Sequence, residues 1–165
     1  MRRALFPASF NPIHRGHCDI AERASHLFDE VVLGVFSNPA KSFVFPQEQR
    51  VDLARQALAH VENITVQPYG GLTVDFAKEI GAIVIVRGLR VFSDFELEFR
   101  MALANNRLAP DIEIVCLMAR EQHMHLASST IVEIASLGGD ISSMVPKPVE
   151  EALLAYFDKM GHDEP

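Results

Sequence analysis

The amino-acid sequence predicts an α/β domain, a five-stranded parallel sheet with helices on both faces. Short apolar runs alternate with amphipathic segments along the whole chain, the pattern of strands joined by right-handed helical crossovers. Two of the runs, 30–36 (EVVLGVF) and 82–86 (AIVIV), are apolar almost without interruption, as strands are when both faces of a parallel sheet are covered. The predicted arrangement is Rossmann-like. In such sheets ligands bind beyond the carboxyl ends of the strands, where the strand order reverses. The polar residues that follow each strand are therefore the candidates for function.

Ala4, Leu5 and Phe6 form the first strand, expected to stop at Pro7 because proline cannot donate to a central ladder. Ser9-Phe10-Asn11-Pro12 is a turn by composition. A helix then opens with His14-Arg15-Gly16-His17 and continues with Ile20, Ala21, Ala24, Leu27 and Phe28 at helical spacing. After the strand 30–36 and a loop over 37–42, residues 46–59 read as a helix with Val51, Leu53, Ala54 and Leu58 on one side. A short strand at 64–67 is followed by a break at Gly70-Gly71 and a helix over 73–80. The strand 82–86 runs into Arg87-Gly88-Leu89-Arg90, read as a sharp turn made possible by Gly88. A helix over 93–107, a strand over 112–118, a helix over 128–137 and a last helix over 146–160 complete the chain.

The 165 residues suffice for one domain with a proper core, 1–165. A net charge of −7 argues against a general nucleic-acid binder, which would carry a basic face. No apolar run approaches the ~18 residues of a membrane span. The stretch after Arg2-Arg3 is too short for a signal peptide, so the expected compartment is the cytoplasm. Cys18 and Cys116 make no disulfide framework, and both are expected as small buried hydrophobes.

Two junctions carry chemistry. At the first, a strand end and a helix start bracket two imidazoles and a guanidinium, and free N–H groups with the positive end of the dipole favour an anion. At the second, Arg87 and Arg90 follow a buried strand, so they should stand at the rim of the sheet, where arginine's planar fork grips phosphate oxygens. The plainer alternative pairs both arginines with Asp94, Glu96 or Glu98. Ser128-Ser129 opens a helix whose N–H groups could hold phosphate. There is no Gly-x-Gly-x-x-Gly after the first strand, and Lys41-Ser42 lacks the glycines of a Walker A loop.

His-x-Gly-His after an N-terminal strand resembles the signature of the nucleotidylyltransferases. Joined to Ser9-Phe10-Asn11-Pro12, Arg87-Gly88-Leu89-Arg90, the run Ser93-Asp94-Phe95-Glu96-Leu97-Glu98 and Asn105, it is similar to bacterial phosphopantetheine adenylyltransferases, nearly from end to end. That resemblance implies transfer of AMP from ATP to 4′-phosphopantetheine, with Mg²⁺ as cofactor and a homohexamer as the assembly. It implies catalytic roles for His17, Lys41, Arg90 and Ser9. For ATP it implies Ser9, Phe10, His17, Gly88, Leu89, Arg90, Glu98, His123, Ser128 and Ser129. For the second substrate it implies Ser9, Lys41, Thr73 and Arg87.

Departures from the family pattern are Phe6 for tyrosine, Asn11 for aspartate, His123 for an aromatic residue and Ala127 for serine. No lysine or arginine follows Ser128-Ser129, where Thr130-Ile131-Val132-Glu133 stands. Weaker grip on the outer phosphates of ATP is the expected consequence. A nicotinate mononucleotide adenylyltransferase is the nearest rival, although RGLR and DFELE do not belong to it. A non-catalytic nucleotide-binding paralogue is the other.

Overall fold

The computed structural model describes residues 1–162, so the last three residues of the predicted domain lie outside the description. In chain order the elements are β1 (Arg3–Ala8), α1 (Arg15–Ser25), β2 (Glu30–Phe36), α2 (Gln47–Ala57), β3 (Ile64–Tyr69) and α3 (Thr73–Glu79). They continue with β4 (Val84–Leu89), α4 (Phe92–Leu108), β5 (Glu113–Met118), a 3-10 turn (Glu121–His123), α5 (Ser128–Ser136) and α6 (Lys147–His162). The strands form one five-stranded sheet in the order β3-β2-β1-β4-β5, and every pairing is parallel.

Alternation along the strands divides the apolar side chains between two layers. Phe6, Val31, Leu33 and Val35 face a core completed by Ile20 and Ala24 of α1, Val51 and Leu53 of α2, Ile131 of α5, and Val149 and Leu153 of α6. Leu5, Val32 and Ile85 point the other way, onto Val74, Phe76 and Ala77 of α3. Full burial of one such leucine, Leu33 for example, contributes about 2 kcal/mol.

Three expectations are corrected. β1 does not end before Pro7, which pairs in register with Gly34 of β2. On its other side the ladder to β4 covers Ala4 and Leu5 alone, so the missing N–H of Pro7 falls where no ladder bond is required. Arg87-Gly88-Leu89 is strand rather than turn, in register with Cys116, Leu117 and Met118 of β5. Gly88 serves helix packing: a Cβ there would lie 3.2 Å from Ile20 Cγ1 of α1. Finally, Cys18 is buried as expected but Cys116 is exposed. It lies on the edge strand, and α4, which follows β4, buries none of its own 17 residues.

Candidate active site

Beyond Leu5 the central strands β1 and β4 part, and the gap between them is a cleft of about 650 Å³. Arg87 bridges this opening, its Nη1 donating to the carbonyl of Pro7 at 2.7 Å. Ser9, His17, Lys41, Gly88, Arg90 and Glu98 all line the cleft, as do His123, Ser128 and Ser129. Segments far apart in sequence are thus brought to one rim, as the topology requires.

At the start of α1, His14 is the N-cap, and its Nδ1 accepts from the backbone N–H groups of Gly16 (3.1 Å) and His17 (3.4 Å). In return His17 Nδ1 accepts from the backbone N–H of His14 at 3.2 Å. Because Nδ1 accepts in both rings, the neutral tautomer carries its proton on Nε2 in both. A side chain at Gly16 would meet His14 Cε1 at 3.0 Å, so the motif's glycine makes room for this cap. Burial pulls His14 down to about 3, with Arg90 and His123 adding repulsion. His17 is also held well below 6.5, first by burial, then by His14, Arg90 and Arg87. Its ring is still partly open to the cleft and meets Phe10 edge-on at 5.0 Å. Phe10 is 2% exposed, so its ring supports His17 from below and what it can offer a nucleotide is backbone.

Both arginines make the ion pairs that the plainer reading anticipated, and both still line the cleft. Arg87 grips Glu98 through two bonds, at 2.7 and 2.5 Å. Arg90 bonds Asp94 at 3.1 Å and the carbonyl of Leu126 at 2.6 Å. Asp94 also accepts from the backbone N–H of Arg90 at 3.0 Å, fastening the start of α4. Leu89 does not line the cleft, and its carbonyl accepts from Ala119 N–H at 2.7 Å. Lys41 is exposed on the loop between β2 and α2.

Ser128 Oγ donates to the carbonyl of Pro12 at 2.9 Å, which seats the first turn of α5 against the β1–α1 loop. The N-cap Ala127 supplies no side-chain bond, leaving the first N–H groups of α5 available to an anion. No basic residue occurs anywhere in α5, and Glu133 is exposed.

A second chamber of about 390 Å³ shares Ser9, Lys41, Arg87 and Glu98 with the first. Thr73 stands in it, hydrogen-bonded to Tyr69 at 3.0 Å. Phe36 and Tyr69 also line it: Phe36 is legible in the sequence only as the end of an apolar strand, and Tyr69 escapes it because β3 runs to Tyr69 rather than ending at Gln67. Among the described residues no three His, Cys, Asp or Glu side chains cluster as metal ligands. The acidic residues of the main cleft, Asp94 and Glu98, are each taken by an arginine, so this donor set does not fit a resident magnesium ion.

A fold with its cleft at the strand-order reversal and His-x-Gly-His at its rim defines a nucleotidyltransferase. The family model described as cytidylyltransferase-like matches residues 5–134. A phosphopantetheine adenylyltransferase of Roseiflexus sp. is 50% identical over 159 residues, covering 96% of this chain and 99% of its own. One from Herpetosiphon aurantiacus is 50% identical over 164 residues, covering 99% and 98%. The chain belongs to the phosphopantetheine adenylyltransferase family. Among solved structures, a putative nicotinate-nucleotide adenylyltransferase from Vibrio parahaemolyticus superposes with a TM-score of 0.74 at 22% identity, covering 96% of this chain and 97% of its own, a likeness of fold.

Proposed function

We propose that this chain transfers AMP from ATP to 4′-phosphopantetheine, releasing pyrophosphate and forming dephospho-coenzyme A. The observation that carries the reading is the pair of joined chambers, one bordered by His17, Arg90 and the start of α5, the other by Thr73 and Tyr69, with Ser9, Lys41 and Arg87 between them. A phosphate ester lying in the second chamber would present its oxygen to the α-phosphorus of ATP in the first.

The incoming phosphate is already an anionic nucleophile, so the protein's task is alignment and charge neutralisation. One P–O bond forms at the α-phosphorus while the α–β bridge breaks, and the electron pair leaves with pyrophosphate. His17 donates from Nε2–H to an α-phosphate oxygen, as a neutral imidazole that stays available through the physiological range. Lys41 takes the incoming phosphate, Ser9 holds it towards the α-phosphorus, and Arg87 binds the phosphopantetheine moiety. Arg90 meets the leaving pyrophosphate, the N–H groups of Ser128 and Ser129 hold the outer phosphates, and Glu98 and His123 contact the nucleoside. The backbone from Gly88 to Arg90 and that of Phe10 complete the ATP site, and Thr73 touches the pantetheine arm. Magnesium enters in this reading on the triphosphate, as part of the substrate, since Mg²⁺ binds through phosphates and water without a protein cage. The proposed compartment is the cytoplasm, where ATP is abundant; no helix among the described residues is long and apolar enough to cross a membrane.

We propose a homohexamer as the assembly. Its support is α4, which exposes Phe92, Phe95, Leu97, Phe99, Met101 and Leu103 along one 17-residue helix. Apolar exposure on that scale marks an interface, and a second copy offers the same face in return.

A substrate panel tests the activity. With ATP, pyrophosphate should appear with 4′-phosphopantetheine and not with nicotinate mononucleotide. Release with the second acceptor alone, or with neither, would overturn the reading.

A further inference from the structure

Arg50, in the first turn of α2, is 1% exposed, yet no carboxylate pairs with it among the described residues. Its acceptors are backbone carbonyls from three separate segments. Nε donates to Phe45 at 3.1 Å, and Nη1 donates to Phe36 at 2.8 Å and to Ser9. Nη2 is buried without a partner among the described residues, and the guanidinium carbon lies 4.1 Å from the centre of the Phe43 ring.

Placement gives this arrangement its meaning. Phe36 ends β2 and Phe45 stands just before the N-cap of α2, so they are the two feet of the loop that carries Lys41. Ser9 belongs to the β1–α1 loop, which leaves the neighbouring strand, and it lines the cleft together with Lys41. Asn11 makes a second tie between the same loops, its Oδ1 accepting from Val44 N–H at 3.1 Å. An apolar side chain would fill this site at lower desolvation cost than an unpaired cation. What the guanidinium adds is a rigid fork that fixes three carbonyls relative to one another.

We infer that Arg50 is a positioning residue: it locks both feet of the 37–46 loop to the Ser9 backbone and so sets where Lys41 stands in the cleft. The inference rests on the proposed contact of Lys41 with the incoming phosphate. Arg50→Lys keeps the charge and loses the fork. Displacements near 1 Å at reacting groups cost on the order of 100-fold in rate, so kcat should fall about 10- to 100-fold.

The test is a double-mutant cycle with Lys41→Ala, on full-length enzyme, with ATP and 4′-phosphopantetheine both saturating. If Arg50 acts through Lys41, Arg50→Lys should cost less than about 3-fold in the Lys41→Ala background. Equal losses in both backgrounds overturn the inference, and so does an Arg50→Lys enzyme of undiminished kcat. Phe43→Leu, which removes the stacking partner, runs in the same cycle. Should Arg50→Lys fail to fold, equal losses from Phe43→Leu in both backgrounds overturn the inference, and a loss confined to the Lys41-containing enzyme supports it. A Lys41→Ala enzyme at full rate with a normal KM withdraws the role of Lys41, and this inference with it, while His17→Ala still reports on transfer itself.

Discussion

The imidazoles of His14 and His17 lie stacked, with centroids 3.7 Å apart and planes inclined by 23°, and each ring's Nδ1 accepts a backbone N–H from the other residue. This reciprocal cap ends in two Nε2–H groups, and both rings line the main cleft. His17 carries the proposed transition-state contact, so His17→Ala should lower kcat about 100-fold, the effect of removing one preorganised donor worth ~3 kcal/mol. KM for ATP should move far less. Steady-state kinetics with each substrate varied in turn checks both.

The same pair makes stability depend on pH. In the unfolded chain His14 binds its proton near 6.5, and in the folded chain only near 3. The unfolded state therefore holds more protons between those values, and stability falls as pH drops through that window. Above about 6.5 the contribution is complete; at pH 5 His14 alone should have lost about 2 kcal/mol. His17 shifts the same way and steepens the loss. Urea unfolding midpoints between pH 5 and 8 measure the slope, and His14→Asn should flatten it.

Val132, one helical turn into α5, lines a neighbouring hollow of about 560 Å³ that shares Ser9, His17, Lys41, Ser128 and Ser129 with the cleft. With no cation on this helix, ATP phosphates held there as proposed would meet only backbone N–H groups of α5 itself. Val132→Lys should tighten ATP about 5-fold, close to 1 kcal/mol. Titration calorimetry at low and moderate salt reads the gain, which should shrink as salt is raised.

On α4, Phe95 is 47% and Leu103 59% exposed. If six copies cover this face, Phe95→Ser with Leu103→Ser should split the assembly without unfolding the protomer, since neither side chain belongs to the core. Light scattering coupled to gel filtration gives the mass. A mass independent of both substitutions would place the interface elsewhere.

Strands such as EVVLGVF were legible because a sheet covered on both faces leaves no polar face to obscure it. The fate of Arg87-Gly88-Leu89 was not, since the break in apolar composition concealed a ladder with β5 that side chains do not dictate. Likewise Cys116 had apolar neighbours in sequence but no covering helix in space. His17, Lys41, Arg87 and Arg90 could be assigned to one rim because parallel topology delivers strand ends there whatever the loops do. Which acid each arginine holds, and that His14 would cap the helix with its ring, depended on geometry at the scale of one hydrogen bond. Arg50 carried no signal at all: near the start of a helix and after Gln47-Glu48-Gln49, it reads as a solvated residue, and only the fold brings three carbonyls around it.

The middle of the sheet is sewn by two stitches, Ala4 to Val84 and Leu5 to Ile85. Past them, β1 and β4 withhold from each other the backbone groups that neighbouring strands ordinarily spend on a partner. A nucleotide lodged in that gap, as proposed, would stand where strand pairing would otherwise continue, and its phosphates would become the missing thread between the two halves of the sheet.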